Sequence, residues 1–492
     1  MDIVIHGIAT MLGLIVVGMV VIWFIQDITQ KKHTVLRNYP VIGRLRYLFE
    51  EQGKYFRQYF YANDRDEMPF NRATRNWIYR HAKDLGGLIG FGSTNNLSEP
   101  GTIIFVNAAF PILEENQLPT PPLLIGEDYA DHPFVAKSIV NISGMSFGAI
   151  SKPAVRALSL GAVQSGCWLN TGEGGLSPYH LEGKCDVIMQ IGTAKYGIRD
   201  EYGNFSAQRA SELAELVKAF EIKLSQGAKP GKGGLLPADK ITEEIARIRG
   251  IPAFRDSISP NRHKDIDNID ELLEQINCIR ELTGRPVGIK TAIGGWHFIN
   301  ELCDCIVRKG LHYAPDFITI DGSEGGSGAA PQTLMDNVSL SITEALPRVV
   351  DSLIESNLKE RIRVIAAGKL VTAAHGAWAL CAGADFVNTA RGFMFSLGCI
   401  QAMRCHENTC PTGVTTHDPR LQKGLVVEEK CVRVANYTRN YNKEVAMIAH
   451  SCGLRHAREF KREHVRIVET AGKSIAMNML YPYPNTKPHW PE

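Results

Sequence analysis

Residues 363–392 read RVIAAGKLVTAAHGAWALCAGADFVNTARG and contain two short apolar runs separated by a helical pattern. The first run, Arg363–Ala367, ends at Gly368, and the second run is Asp385–Thr389. Short apolar strands that alternate with helices favour a parallel sheet covered by those helices. This stretch therefore predicts the repeating strand–helix unit from which the rest of the fold is built.

The same alternation begins at about Ser138 and gives eight strand–helix units in all. The six earlier predicted strands are Ser138–Ile142, Cys167–Asn170, Asp186–Gln190, Phe220–Leu224, Pro286–Thr291 and Phe317–Asp321. Eight units over roughly 250 residues predict an α/β fold of the (β/α)8 TIM-barrel type, with a doubly wound open sheet as the alternative. Polar and glycine-rich residues follow nearly every strand. In a barrel these loops converge on one face, so the strand count predicts a single site.

Two of the late loops have the features of a phosphate site. Gly368 follows the seventh strand, and the eighth strand leads into Thr389, Ala390 and Arg391. Barrels often bind phosphate with these two loops, through backbone N–H groups and a helix N-terminus. A simple turn is the alternative at each glycine. No Gly-x-Gly-x-x-Gly follows a predicted strand, so FMN is favoured over NAD(P).

The loop after the fourth strand is basic and rich in glycine. Its central part, Gln226–Gly234, reads QGAKPGKGG. The basic residues along the loop are Lys223, Lys229, Lys232, Lys240, Arg247, Arg249 and Arg255. A solvated charge run is one interpretation. The glycines instead favour a flap that carries cations toward an anionic ligand such as a dicarboxylate.

Further polar candidates lie at other strand ends. Lys290 ends the fifth strand and is placed to stabilise a reduced flavin from the mouth of the barrel. Candidate polar or acid–base groups are Glu173, Asp321 and Glu324, each with a structural capping role as the alternative. The glycine-rich loop after Asp321 adds three candidate cofactor contacts, Gly322, Gly325 and Gly326.

Three cysteines follow the eighth unit within GFMFSLGCIQAMRCHENTCPTGV, residues 392–414. Cys399, Cys405 and Cys410 are separated by five and then four residues. Three thiolates at this spacing suit an iron–sulfur cluster or a zinc ion. No Cys-x-x-Cys pair is present, and zinc knuckles usually begin with one. The alternative is three unrelated cysteines on a buried segment.

The N-terminus carries an uncharged apolar stretch, IATMLGLIVVGMVVIWFI at Ile8–Ile25. This length is enough to cross a bilayer, and the stretch lacks the basic start and the cleavage site of a secretory signal. Basic residues follow it at positions 31, 32, 37, 44 and 46. Positive charge on the cytoplasmic side predicts a single-pass membrane protein with its catalytic domain in the cytoplasm. The alternative is a helix buried in a soluble body.

The charge balance and the cysteine content argue against a nucleic-acid-binding protein and against a small disulfide-rich protein. The chain has 54 Lys+Arg and 52 Asp+Glu, which gives no electrostatic argument for nucleic-acid binding. Eleven cysteines in 492 residues do not form a compact disulfide scaffold and fit a reducing compartment.

The sequence predicts four segments. They are a membrane anchor over 1–30, an irregular cap or brace over 31–135, the barrel with the cysteine loop over 136–427, and a helical basic tail over 428–492.

Six ordered motifs resemble the FMN-binding synthase domain of glutamate synthase. They are SGMSFGAIS at Ser143–Ser151, NTGEGG at Asn170–Gly175, the flap motif QGAKPGKGG, DSISP at Asp256–Pro260, DGSEGGSGAAP at Asp321–Pro331 and the three-cysteine stretch. The resemblance spans about residues 138–427. With YPVIGR at Tyr39–Arg44, the whole chain looks like the stand-alone, membrane-anchored FMN-binding glutamate synthase family.

The resemblance implies FMN and a [3Fe-4S] cluster with Cys399, Cys405 and Cys410 as its ligands. It further implies that Lys229 and Arg249 contact the carboxylates of 2-oxoglutarate. The resemblance also implies that Met145, Ser146 and Gln190 lie close to the flavin. It implies that Glu173 lies near the substrate. Two positions depart from the large glutamate synthases, which have Glu in place of Lys232 and Gln in place of Leu235.

The implied reaction is the reductive amination of 2-oxoglutarate to glutamate with electrons from an external donor. That donor is expected to be ferredoxin, a reductase subunit or membrane quinol. Large glutamate synthases release ammonia with an N-terminal cysteine, whereas the first cysteine here is Cys167, so nitrogen is expected as free or partner-supplied ammonia. The alternatives are a membrane-bound electron-transfer or redox-sensing module, and an amino-acid oxidoreductase that acts on another amine or is coupled to quinone.

Overall fold

The computed structural model describes residues 2–486, without the side chain of Asp2. Met1 and the last part of the predicted tail, residues 487–492, lie outside the described residues. The chain forms two compact units, residues 1–74 and residues 75–492.

The first unit is helical. Its helices are Asp2–Thr29, Thr34–Asn38 and Gly43–Phe56, followed by a π-helical turn at Arg57–Tyr61. Among the described residues, one helix is long and apolar enough to cross a membrane, over Ile3–Thr29, and its apolar side chains are exposed. Arg44 holds the end of this helix, because its Nη2 donates to Asp27 Oδ1 at 2.7 Å. The predicted apolar N-terminal helix is therefore present.

Eight parallel strands of the second unit form a closed barrel. They are β1 (Val140–Ile142), β2 (Leu169–Asn170), β3 (Val187–Ile191), β4 (Ala219–Lys223), β5 (Val287–Thr291), β6 (Phe317–Asp321), β7 (Arg363–Ala367) and β8 (Phe386–Thr389). Each strand pairs with the next, and β8 closes on β1 through Asn388 opposite Asn141. The predicted TIM barrel is confirmed, and the open-sheet alternative is wrong.

Helices alternate with the barrel strands along the chain, and most of them cover the outside of the barrel. In chain order they are Lys152–Ser165, Pro178–Leu181, Ala207–Ala214, Glu243–Arg249, Ile269–Thr283, His297–Lys309, Gln332–Asn337, Ile342–Glu355, Ala373–Cys381 and Arg391–Leu397. The first begins at Ser151, whose Oγ accepts from Ala154 N at 3.3 Å, as expected of an N-cap. It ends at Gly166, whose φ of 71° is the left-handed value that suits glycine.

The amino-terminal half of the barrel interior is apolar. The side chains that fill it include Trp168, Ile188, Phe317, Ile365 and Phe386. The rings of Trp168 and Phe386 lie 5.1 Å apart in an edge contact. These residues close the bottom of the barrel, so polar groups remain for the carboxyl ends of the strands, where barrel enzymes place their sites.

The segments that flank the barrel contain both helix and strand. On the N-terminal side they are helix Arg72–Ala82 and strands Ile103–Phe105, Leu123–Ile125 and Phe134–Ala136. On the C-terminal side they are helices Pro419–Gln422, Val427–Ser451 and Met477–Leu480 and strands Val465–Thr470 and Lys473–Ala476. The predicted helical tail is thus helical to Ser451 and then continues into a hairpin. The pairing of Ile103–Phe105 with Val465–Thr470 stabilises that hairpin through a contact distant in sequence, which local patterning does not predict.

Candidate active site

Side chains from four strands meet on one buried carboxylate above the apolar layer. Glu221 of β4 is 1% exposed, and its Oε1 accepts from Asn170 Nδ2 at 2.9 Å and from Gln190 Nε2 at 2.6 Å. Its Oε2 accepts from Thr319 Oγ1 at 2.7 Å. A buried carboxylate requires such donors, and these three bonds fix the orientation of the donors in return. The amide of Gln190, a predicted flavin contact, is therefore held in one orientation.

Lys290 stands next to this network at the end of β5. Its Nζ lies 3.4 Å from Asp321 Oδ2, and both side chains are buried. Burial lowers the pKa of Lys290, but Asp321 and Glu221 outweigh that effect and raise the pKa above its ordinary value. Asp321 Oδ2 also accepts from Gly227 N at 3.1 Å. A permanent positive charge is thus fixed at the barrel mouth and linked to the flap.

A second carboxylate, Glu173, lies among cations at the mouth. Its Oε2 accepts from Lys223 Nζ at 3.0 Å. Burial raises the pKa of Glu173, but Lys223, Lys229 and Arg249 lower it to about 2. Glu173 is therefore ionised throughout the neutral range. The three cations that lower the pKa of Glu173 exceed its negative charge by two, and Lys232 adds another cation to the lining of the adjacent cavity.

The two predicted substrate cations are both buried. Burial lowers the pKa of Lys229, against the raising effect of Glu173. Lys229 is 7% exposed. Arg249 is 5% exposed, its Nη2 donates to Phe147 O at 3.2 Å, and its Nε has no partner among the described atoms. Two buried cations, one of them with an unused donor, form a binding set for an anion.

Two cavities lie beside neighbours of these cations, Glu173 and Tyr196, and the lining of neither cavity includes Lys229 or Arg249. The smaller, of about 20 Å³, is lined by Glu173, Lys223 and Lys232, and the larger, of about 540 Å³, by Tyr196, Arg199 and Arg255. Thr193 lines both. Lys232, one of the two positions that differ from the large glutamate synthases, thus lines the site. Leu235, the other such position, is 48% exposed and pairs with Ile258 at the edge of the flap.

The loops after β7 and β8 place two cations beside glycine backbone. The pKa of Lys369 is lowered by burial and by the charge of Arg391. Burial lowers the pKa of Arg391 to about 10, against Asp321 and Glu324, and its Nη2 donates to Glu324 O. Gly368 has a φ of 128°, and a Cβ there would lie 3.1 Å from Gly322 N. Lysine, arginine and closely packed glycine backbone fit a phosphate group.

The other predicted cofactor residues surround the same mouth. Gly325 and Gly326 lie between Asp321 and Arg391, since a Cβ on Gly325 would be 2.9 Å from Asp321 Oδ1, and one on Gly326 would be 2.9 Å from Arg391 Nε. Thr389 Oγ1 accepts from Gly392 N at 3.3 Å, and Ala390 is the N-cap residue of the following helix, Arg391–Leu397.

The loop after β1 brings Met145 and Ser146 to Gln190. A Cβ on Gly144 would lie 3.0 Å from Gln190 Nε2, and one on Gly172 would lie 2.6 Å from Ser146 N. Only glycine permits these loops to approach so closely. The structure therefore brings the three predicted flavin contacts together.

The three cysteines lie in the segment that follows helix Arg391–Leu397. Burial raises the pKa of the Cys399 thiol to about 12, and the thiols of Cys405 and Cys410 add to this effect. The carbonyl of Cys399 accepts from Tyr79 Oη at 2.6 Å. Within the described part of the chain, no three His, Cys, Asp or Glu side chains are arranged to coordinate a metal. Thiols suit an iron–sulfur cluster by their chemistry, but the described residues form no metal-holding group, and the predicted cluster is not shown.

Two residues at the site, Glu221 and Lys369, were not singled out from the sequence, and Lys223 and Lys240 were predicted only as basic residues of the flap. The period of two on β4 places Ala219, Glu221 and Lys223 on one face. Because Ala219 belongs to the apolar interior, the alternation indicates that Glu221 and Lys223 also point into the barrel. Lys369 directly follows the predicted phosphate glycine. The contacts of Lys240 join two loops distant in sequence and left no local signal.

Comparison with protein families places residues 109–455 in the conserved region of glutamate synthase. The glutamate synthase large subunit-like protein YerD of Bacillus subtilis is 41% identical over 97% of this chain and 98% of its own length. An archaeal-type glutamate synthase [NADPH] of Thermotoga maritima is 36% identical over 64% of this chain. The aligned part spans 59% of the length of that protein. Among solved structures, a mutant flavocytochrome b2 with pyruvate bound matches at 14% identity, with a TM-score of 0.46, over 91% of this chain and 92% of its own.

Proposed function

Because the chain belongs to the glutamate synthase family, we propose that it is an oxidoreductase that aminates 2-oxoglutarate reductively to glutamate with the aid of FMN and an iron–sulfur cluster. The observation that carries the proposal is the charge of the pocket around Glu173. Lys223, Lys229 and Arg249 together exceed the negative charge of Glu173 by two. A dicarboxylate brings two negative charges to this pocket, in which cations outnumber carboxylates.

The cations of the pocket bind and orient the oxo acid. Lys229 and the guanidinium of Arg249 each take a carboxylate, and the planar fork of arginine fixes the orientation of its partner. Glu173, with a pKa of about 2, is too weak a base to remove a proton from ammonium. Its charge instead stabilises the positive charge that develops on nitrogen when ammonia condenses with the keto group.

Residues at the barrel mouth hold the flavin in this proposal. Lys369 and Arg391 bind the phosphate, supported by the backbone of Gly368 and Gly322, while Lys290 and Gln190 face the ring system. FMN, when bound, supplies the hydride. Lys290 keeps its proton because of Asp321 and Glu221, so it donates a hydrogen bond and a fixed positive charge at all neutral pH values.

The cysteine loop is the proposed entry point for electrons. Cys399, Cys405 and Cys410 would hold a [3Fe-4S] cluster, and an external donor such as ferredoxin, a reductase subunit or quinol would reduce it. The exposed apolar helix Ile3–Thr29 supports a single-pass anchor with the barrel in the cytoplasm. Ammonia arrives free or from a partner protein.

Glutamate formation by the chemically reduced protein tests the reaction. The purified full chain, loaded with FMN and iron–sulfur and reduced anaerobically, is given 2-oxoglutarate and ammonium. We expect one glutamate for each pair of electrons consumed, and none when either substrate is omitted. Absence of glutamate from protein with FMN and cluster intact would remove the proposed reaction.

A further inference from the structure

A helix of the first unit exposes an apolar stripe along its whole length. The helix runs over Gly43–Phe56 and continues into the π-helical turn Arg57–Tyr61, and we call the two together the stripe helix. Its exposed apolar side chains recur at spacings of three, four and seven residues and are Leu45, Leu48, Phe49, Phe56, Tyr59 and Phe60. An α-helix turns once in about 3.6 residues, so these spacings place them all on one face. A continuous exposed apolar face marks a surface for a partner.

Positive charge lies beside this stripe. Arg46 and Arg57 are exposed and eleven residues apart, about three helical turns, so they follow the same edge of the stripe. From Lys31 to Arg57 the chain carries seven lysines and arginines against two glutamates. A second copy of the helix would bring like charges together, which opposes pairing of two copies. The partner must instead accept apolar and aromatic side chains and present negative charge next to them.

The stripe helix is fixed at its start to the end of the apolar helix Ile3–Thr29. Arg44 Nε donates to Asp27 Oδ2 at 3.0 Å, and Val41 N donates to the same oxygen at 2.9 Å. The guanidinium of Arg44 also lies 5.1 Å from the centre of the Trp23 ring. Asp27 and Trp23 belong to the last two turns of the apolar helix. When that helix spans a bilayer, these contacts therefore hold the start of the stripe helix at the bilayer surface.

We propose that the stripe helix lies in the interface of a bilayer and binds anionic lipid headgroups through Arg46 and Arg57. Aromatic and aliphatic side chains on one face with basic residues beside them are typical of helices that lie in the interface plane. Basic residues next to an anionic membrane surface strengthen such binding. The inference goes beyond the proposed reaction and shares with the proposed function only the placement of Ile3–Thr29 in a bilayer.

Tryptic cleavage after Lys54 tests the proposal on the full chain. The protein is placed in nanodiscs of phosphatidylcholine alone and in nanodiscs that also contain phosphatidylglycerol, and cleavage is followed by mass spectrometry. Both faces of a nanodisc are open to the protease, so the orientation of the chain does not affect the result. Cleavage within a helix requires local unfolding, which binding to lipid opposes. Cleavage after Lys423, an exposed lysine in a turn of the second unit, is the internal control.

We expect cleavage after Lys54 to be about tenfold slower in the discs with phosphatidylglycerol, because two basic residues contact the headgroups. Cleavage after Lys423 should be equal in both discs. The double variant Arg46→Gln, Arg57→Gln should lose the difference between the lipids, and the double variant Phe49→Asp, Phe60→Asp should be cleaved fast in both. Glu50→Gln changes a charge of the same helix away from the stripe and should keep the difference. A wild-type Tm shows that each variant folds.

Equal cleavage of the wild type after Lys54 in the two discs overturns the proposal. A lipid-dependent difference that persists in Arg46→Gln, Arg57→Gln also overturns it, because the headgroups would then contact other residues. Slow cleavage in both discs that Phe49→Asp, Phe60→Asp does not change shows that protein covers the stripe, which overturns it as well. A wild-type chain that enters neither disc contradicts the anchor over Ile3–Thr29 itself, which separates failure of the anchor from failure of the inference.

Discussion

Lys223 Nζ donates to Glu173 Oε2 at 3.0 Å across the mouth of the barrel, and this pair sets the charge of the whole pocket. Lys223 is the last residue of β4, and a single outward-facing residue separates it from Glu221. Because alternate residues of a strand face the same side, the side chains of Glu221 and Lys223 both point inward. Lys223 also donates to Gln226 Oε1 at 2.7 Å. Because Lys223 satisfies Glu173, the positive charges of Lys229 and Arg249 remain available to a ligand.

Arg249→Lys tests whether the shape of the guanidinium matters for dicarboxylate binding. The variant keeps the charge but loses the planar fork, so we expect affinity for 2-oxoglutarate to fall by about tenfold to a hundredfold, the size of a lost charge-assisted bond of about 1.5–3 kcal/mol. Arg247→Lys is the matched control, since Arg247 is exposed on the same helix. Binding is followed by perturbation of the flavin spectrum. Equal affinities of the two variants would exclude Arg249 from the oxo-acid site.

Glu173 should make stability depend on pH in the acid range. Its pKa is lowered to about 2 from an ordinary value of 4.5, so its contribution is complete above about pH 4.5 and is lost as the pH falls toward 2. A shift of this size corresponds to about 3 kcal/mol. We therefore expect Glu173→Gln to have a lower Tm than the wild type at pH 7, and the difference to shrink as the pH is lowered from 4.5. A difference in Tm that stays constant down to pH 3 would contradict the assignment.

Glu221→Gln tests the buried network that orients Gln190. A glutamine has one acceptor oxygen where the carboxylate has two, and its NH2 faces groups that are donors themselves. We expect a loss of about 1–3 kcal/mol in the free energy of unfolding for each donor left unpaired. Weaker FMN binding should accompany it, because the amide of Gln190 is no longer fixed. Glu215→Gln, at an exposed glutamate before the same strand, is the control and should have a wild-type Tm. A wild-type Tm and FMN affinity in Glu221→Gln would show that the network is dispensable.

The barrel was predictable because each of its strands has a local sequence signal, a short apolar run. Phe317–Asp321 and Arg363–Ala367 are apolar runs followed by glycine, and their predicted and observed bounds agree. The position of Lys290 and Asp321 at the mouth follows from the same signal, since Asp321 ends such a run and Lys290 is the last residue but one of another. Contacts between distant segments were not predictable. The bond from Lys240 to Cys405 and the pairing of Ile103 with Ile467 depend on how loops meet in space, and nothing in the local pattern encodes them.

Lys369→Met tests the phosphate end of the proposed flavin site. The side chain lies beside Arg391 after β7, where repulsion between the two cations contributes to the lowered pKa of Lys369. A phosphate dianion would relieve that repulsion. Removal of Lys369 should therefore weaken FMN binding without destabilising the protein that lacks FMN. We expect the Kd of the deflavinated protein for FMN to rise by about tenfold to a hundredfold, as for other charge-assisted contacts. Riboflavin, which lacks the phosphate, should bind the variant and the wild type equally, and Lys218→Met, at an exposed lysine, should leave both affinities unchanged. If riboflavin loses as much affinity as FMN, Lys369 contacts another part of the cofactor, and the phosphate lies elsewhere.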